Sequence, residues 1–153
     1  MATTLPLAVD SILSRFKVQW DADTAAIAGS VPTIVYEPLE PDLKPHPRDT
    51  DDPWARITIR HADARKVTLR GQAGQRFRRM GIAWIQVYAP RQGAKFYTMA
   101  QKLAMVAQKA YEGRRSPGDS VVYTSAAIMD QPVEAGWYRY DCKVSFYWDE
   151  IRA

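Results

Sequence analysis

Between Gly81 and Gly113 the hydrophobic pattern changes period once, and the change marks a strand running into a helix. From Ile82 to Ala89 the residues alternate, with Ala83, Ile85, Val87 and Ala89 on one side and Trp84, Gln86 and Tyr88 on the other, as a pleated strand requires. Pro90 and Gly93 break the alternation. Phe96, Met99, Ala100, Leu103, Val106, Ala107 and Ala110 then recur three and four apart, which gathers them on one face of a helix that Gly113 and Pro117 stop. Lys95, Thr98, Gln101, Lys102, Gln108 and Lys109 occupy its solvated side. A stripe of methionine and aromatic residues at this spacing is core material, so Phe96, Met99 and Met105 are read as packing rather than as cofactor ligands.

The same reading extends in both directions. Thr3 or Thr4 can cap a first helix carrying Val9, Ile12, Leu13 and Phe16 on one face and ending around Trp20 to Ala28. Gly29, Ser30 and Pro32 turn the chain into a short β-branched strand, Thr33 to Tyr36. Trp54 to His61 alternates, with Ile57 and Ile59 inward, and Arg65 to Arg70 alternates again; His61 to Ala64 is short enough for a hairpin or for a bulge within one bent ribbon. Ser120 to Met129 is a strand closed by Pro132 and Gly136, and Trp137 to Trp148 is the clearest strand, with Tyr138, Tyr140, Cys142, Val144, Phe146 and Trp148 facing one way. These elements predict an α+β fold: one domain over residues 1–153, with a mixed, mainly antiparallel sheet of about five or six strands and two helices packed on one face.

Charge changes the picture in two places. Residues 37–53 hold five prolines and six acids against Lys44 and Arg48, a composition that reads as a long acidic loop. Gly71 to Arg79 loses all period, so residues 70–80 read as a basic loop. From Arg60 to Gly81 seven basic residues stand against Asp63, a local +6 in a chain whose net charge is +4, which leaves −2 for the remainder. The molecule is therefore expected to be a near-neutral body with one basic projection opposed by one acidic loop.

The chemistry of catalysis is sparse. The sequence holds no glycine-rich phosphate loop, nucleophile elbow or paired metal-ligand motif, and its two histidines, His46 and His61, centre no constellation. Asp49, Asp51 and Asp52 with Glu37 and Glu40 can supply oxygens to a divalent cation, although flexible acidic loops are ordinarily just solvated. Cys142 lies on the apolar side of its strand and reads as a core thiol, and a single cysteine rules out an internal disulfide. No apolar run nears the ~20 residues of a membrane span, and the N-terminus lacks a basic region followed by an apolar core, so synthesis in the cytosol and no membrane contact are expected. These absences accumulate against an enzyme, and no cofactor or metal is expected.

Three readings of the basic segment stay open on the residues alone. Arg76, Arg78 and Arg79 can neutralise phosphates, pair with the acidic loop of a neighbouring copy, or form a solvated tip. An exposed pair of opposite charge on one small domain favours head-to-tail self-association.

Certain pieces, in their order, resemble the tail terminator proteins of long-tailed, lambda-like bacteriophages. They are the first helix through Phe16 to Trp20, the Pro-Thr-Ile-Val-Tyr stretch at Pro32 to Tyr36, and Pro53-Trp54-Ala55-Arg56-Ile57. They continue with Arg79-Met80-Gly81-Ile82 leading to Ile85-Gln86-Val87-Tyr88-Ala89-Pro90, the helix after it, and the Gly136-Trp137-Tyr138 strand that ends in Trp148-Asp149-Glu150. The resemblance spans nearly the whole chain and implies a mixed sheet with helices against it. It also implies a non-enzymatic virion protein, made in the host cytoplasm, that assembles as a six-membered ring. That ring caps the tail tube at its head-proximal end, stops its polymerisation, and presents the surface to which the head-tail connector docks. Carried onto this chain, it suggests Arg70, Arg76, Arg78 and Arg79 and the acids Asp49, Asp51 and Asp52 as exposed surfaces facing a ring neighbour, the tail tube protein, or a lumen through which DNA passes. The alternatives are another neck or tail component, such as a connector or a tube subunit, and a small nucleic-acid-binding module using Arg60 to Arg79.

Overall fold

A computed structural model describes residues 3–37, 51–66, 75–114 and 121–152. The elements run α1 (Leu5–Asp23), α2 (Ala25–Ala28), β1 (Thr33–Glu37), β2 (Trp54–Lys66), β3 (Gln75–Pro90), α3 (Ala94–Tyr111), β4 (Val122–Glu134) and β5 (Trp137–Arg152). The five strands form one sheet in the order β1-β2-β3-β5-β4. β1 joins β2 in parallel and every other pairing is antiparallel. The expected α+β fold, a mixed sheet with two main helices on one face, is the fold found.

Alternation decides which face the helices cover. Ala83, Ile85, Val87 and Ala89 of β3, Ala55 and Ile57 of β2, and Cys142, Val144, Phe146 and Trp148 of β5 are all buried on the helix side. Against them pack Ala8, Ile12, Phe16 and Trp20 of α1 and Ala100, Leu103, Ala104, Ala107 and Ala110 of α3. Small residues on α3 bring its backbone close to the sheet, and fully burying each larger side chain contributes about 1.5–3 kcal/mol. Two polar ties fix the helices. The Tyr111 hydroxyl donates to the Ile12 carbonyl at 2.7 Å, and Trp20 Nε1 donates to the Pro32 carbonyl at 2.9 Å. β5 inserts between β3 and β4, so the two strands flanking α3 are parallel and one strand apart.

The first helix ends at Asp23, within the expected stretch from Trp20 to Ala28, and α2 follows as a separate turn ended by Gly29 at φ 84°. Other expectations need correction. Thr4 is the N-cap residue of α1 by position but makes no side-chain capping bond; Pro6, whose missing N–H costs nothing in the first turn, sets the start. Of the two readings of His61 to Ala64, the bulge within one ribbon is the one found: β2 continues to Lys66 with a register shift there against β3. β4 runs on past Met129 and Pro132 to Glu134, and Ala135 at φ 48° and Gly136 at φ 82° make a two-residue turn into β5. Pro132 is tolerated because β4 is an edge strand with a register shift between Gln131 and Glu134. Met105 is 59% exposed, so it belongs to the solvated side of α3 and not to its core stripe.

The largest correction concerns residues 70–80. β3 begins at Gln75, so Arg76, Arg78 and Arg79 lie in a strand and not in a loop. Hydrophobic alternation is missing there because the sheet outruns its cover. Beyond His61, Gly81 and Trp148, strands β2, β3 and β5 continue as a three-stranded arm on which Ala62, Ala64, Gln75, Arg76, Met80 and Ile151 are exposed. A ribbon without a buried face has no need of alternation.

Candidate functional site

Ladder register places the charges of the arm on two faces. Arg78 stands opposite Asp149, Arg79 opposite Trp148, and Phe77 opposite Glu150. On the face away from the helices, Arg78 donates from Nε to Asp149 Oδ1 at 2.9 Å and from Nη2 to Oδ2 at 3.1 Å, and Arg76 Nη2 reaches the same carboxylate at 2.6 Å. The hydrogen bond from Arg78 holds the Asp149 carboxyl below the usual carboxylate range, against its own burial, and Arg76 adds to the effect. The same bond pushes Arg78 further up. Arg78 also lies over the Tyr147 ring, 4.1 Å from its centroid.

On the helix side, Arg79 donates from Nε and Nη2 to Glu150 Oε2 at 3.0 and 2.7 Å. Beside this pair, His61 packs edge-on to Phe146 and Trp148, and Trp148 Nε1 lies 3.4 Å from its Nε2. Burial lowers the His61 pKa from its ordinary 6.5, and the Arg79 charge lowers it further. Thr4, Leu5, His61, Ala62, Arg79, Trp148 and Glu150 enclose a cleft of about 320 Å³ where the arm leaves the body. Leu5 is 51% exposed at its rim.

Nearer the middle of the sheet, the helix-free face is tied by a second network. Asp141, fully buried, accepts two bonds from Arg139 at 2.9 Å each and one from Trp84 Nε1 at 2.8 Å. Glu37 accepts from Thr58 Oγ1 at 3.1 Å, while Arg56 Nε donates to Gln86 Oε1 at 2.6 Å. Trp54 and Tyr88 stack with centroids 4.2 Å apart.

The structure thus brings Arg76, Arg78 and Arg79 together on the arm but divides them between its faces. Asp51 and Asp52 are exposed before Trp54, at the opposite end of β2 from the arm. Arg70 and Asp49 lie outside the described residues. The arginines are held by Asp149 and Glu150 of their own chain, acids that entered the sequence reading only as the end of the last strand. One signal could have found them. Both β3 and β5 carry charges of opposite sign just past their apolar alternation, which is what two strands paired to their ends would show. Among the described residues no group of three or more His, Cys, Asp or Glu could hold a metal ion. The Cys142 thiol is fully buried and pushed up to about 12, chiefly by that burial. Burial, with the 2.7 Å bond to Tyr97, also pushes Tyr140 up to about 12.

Neither a protein-family model nor a curated protein sequence matches the chain. One solved structure, whose name says nothing of its function, superposes with a TM-score of 0.53 over 95% of this chain and 96% of its own, at 15% identity. At that identity the likeness is one of fold.

Proposed function

We propose that the chain is the tail terminator of a long-tailed bacteriophage. In this reading it is a structural virion protein whose copies form a ring of about six, cap the tail tube and stop its polymerisation. The ring then presents the docking surface for the head-tail connector. It resides at the head-proximal end of the tail and is made in the host cytoplasm.

The observation that carries the reading is the arm. Three strands extend past the helices, stiffened by ladder pairing and by the Arg78–Asp149 and Arg79–Glu150 pairs, yet both faces of the ribbon stay uncovered by the body. A rigid, uncovered ribbon is suited to burial against another molecule, and a closed ring gives every arm a neighbour. Its helix-side face, with the cleft at its root and Leu5 on the rim, offers the concave apolar surface that such a contact needs. The fold itself, a mixed sheet with helices on one face, is also what the resemblance in sequence order implies.

Light scattering over a range of concentrations, with micrographs of the largest species, tests the reading. A closed ring of about six copies that caps purified tail tubes supports it. Open-ended tubes would assign the chain to the tube instead. A protein that stays monomeric and leaves tube growth unchanged refutes it.

A further inference from the structure

The chain's formal charge is +4, and its distribution is uneven. Where the helix-free face of the sheet runs out onto the arm, Arg60, Arg65, Arg76, Arg78 and Lys143 are placed on one side by the ladder register. Asp149 is the one carboxylate among the described side chains of that strip, and it is nearly buried beneath Arg76 and Arg78. Five cations against one carboxylate give +4, the whole of the net charge, so the remainder of the chain sums to zero. Toward the middle of the sheet the strip ends at Asp141, whose charge Arg139 answers.

We propose that this strip binds the phosphate backbone of duplex DNA without reading base sequence. The register from Lys143 to Ile151 spans roughly 26 Å at the rise of a strand, and the three strands are roughly 10 Å across. That length matches about seven or eight base pairs. The two aromatic rings on the strip do not serve as stacking platforms. Arg78 lies over Tyr147, and the Lys143 ammonium lies 5.7 Å from the Trp84 centroid, so each ring already carries a cation. The Nε–Nη2 edge of Arg78 is taken up by Asp149, so its guanidinium has only the donors beyond that edge to offer a phosphate, while its charge adds to that of Arg60, Arg65, Arg76 and Lys143. An acidic protein segment is the weaker match, because tight protein contacts centre on an apolar pocket and the arm's cleft lies on the opposite face.

The test is a fluorescence anisotropy titration of a labelled duplex of about 20 base pairs, using the full chain in whatever oligomeric state it adopts, between about 50 and 200 mM salt. We expect log K to fall against log salt with a slope of about −4, and duplexes of unrelated sequence to bind within about twofold of each other. Arg60→Gln and Lys143→Gln should each reduce the slope by about one. Both side chains belong to the open sheet face, and unchanged thermal melts and solution mass of the variants would show that fold and assembly are intact. Because mass and DNA binding are read separately, a chain that forms no ring can still bind, and a ring can fail to bind. Absence of binding at about 50 mM salt, or a slope unaltered in the double variant, overturns the proposal. So does capture of polyglutamate with indifference to the duplex.

Discussion

Replacing Gly81 with alanine adds one methyl group at the point where the sheet leaves the shelter of the helices. Gly81 stands opposite His61 on β2 and Phe146 on β5. A Cβ there would meet the Arg60 carbonyl oxygen at 2.6 Å and Phe146 Cζ at 2.6 Å, with Cε2 at 3.1 Å. The backbone does not require glycine, since Gly81 is not among the positive-φ residues. At such a site Gly→Ala normally stabilises by about 0.4–1 kcal/mol through the unfolded chain. Here the steric term wins, because the carbonyl is fixed in the ladder and Phe146 is 2% exposed, wedged against His61. Overpacking of this kind costs about 1–3 kcal/mol, and a domain of this size loses roughly 2–4 °C of Tm per kcal/mol, so Gly81→Ala should melt roughly 2–12 °C lower. Urea titration gives the free energy directly. A double-mutant cycle with Phe146→Leu separates the two contacts: the alanine penalty should shrink when the ring tip is gone, and persist in part because the Arg60 oxygen remains. An unchanged or raised urea midpoint in Gly81→Ala, or an equal penalty in both backgrounds, would refute the reasoning.

Three further outcomes follow from the same region and the core. His61 has a native pKa below its unfolded 6.5, so the unfolded chain takes the proton first and stability should fall as pH drops below about 6.5, levelling once native His61 is itself protonated; in His61→Gln, urea midpoints should lose that slope. Asp149 has a depressed native pKa, so its contribution is present above the ordinary 3.8 and lost as pH falls through the native value; Asp149→Asn should cost about 1 kcal/mol at neutral pH and flatten the acid limb of the stability profile. Cys142 should resist a thiol reagent such as DTNB at mildly alkaline pH in the native protein and react once denaturant is added; rapid native labelling would contradict its burial.

What the sequence shows best is whatever the core demands. Ala83 to Ala89, Tyr140 to Trp148 and Ala100 to Ala110 were legible because each must place every second or every third to fourth residue against the same apolar layer. The start of β3 was not legible, because Arg78 answers to Asp149, 71 residues further along the chain, and neither local propensity nor period carries that information. Pro132 misled for a related reason: proline argues against a strand unless the strand is at an edge, and edge position is set by the order of the whole sheet. At the candidate site the basic half was visible as composition. Its division between two faces follows from alternation once β3 begins at Gln75, and the register shift between His61 and Ala64, which a sequence permits but does not place, decides only that Arg65 joins Arg78 on the helix-free side.

The insertion of β5 between β3 and β4 sets an order of events during folding. The β4–β5 hairpin is local and closes through a two-residue turn, on a scale of microseconds. The arm is local on one side only, where β3 pairs with β2 across residues 67–74. On its other side β3 is held by β5, from which α3 and β4 separate it in sequence, so the three-stranded ribbon is complete only after the hairpin has docked and α3 has crossed the sheet. Pulse-labelled hydrogen exchange during refolding should therefore find those amides of Gln75 to Met80 that bond to β5 protected later than those of Ile128 and Cys142. A half-folded chain would carry two strands of the arm without the third, and so lack the carboxylates of Asp149 and Glu150 that hold its arginines.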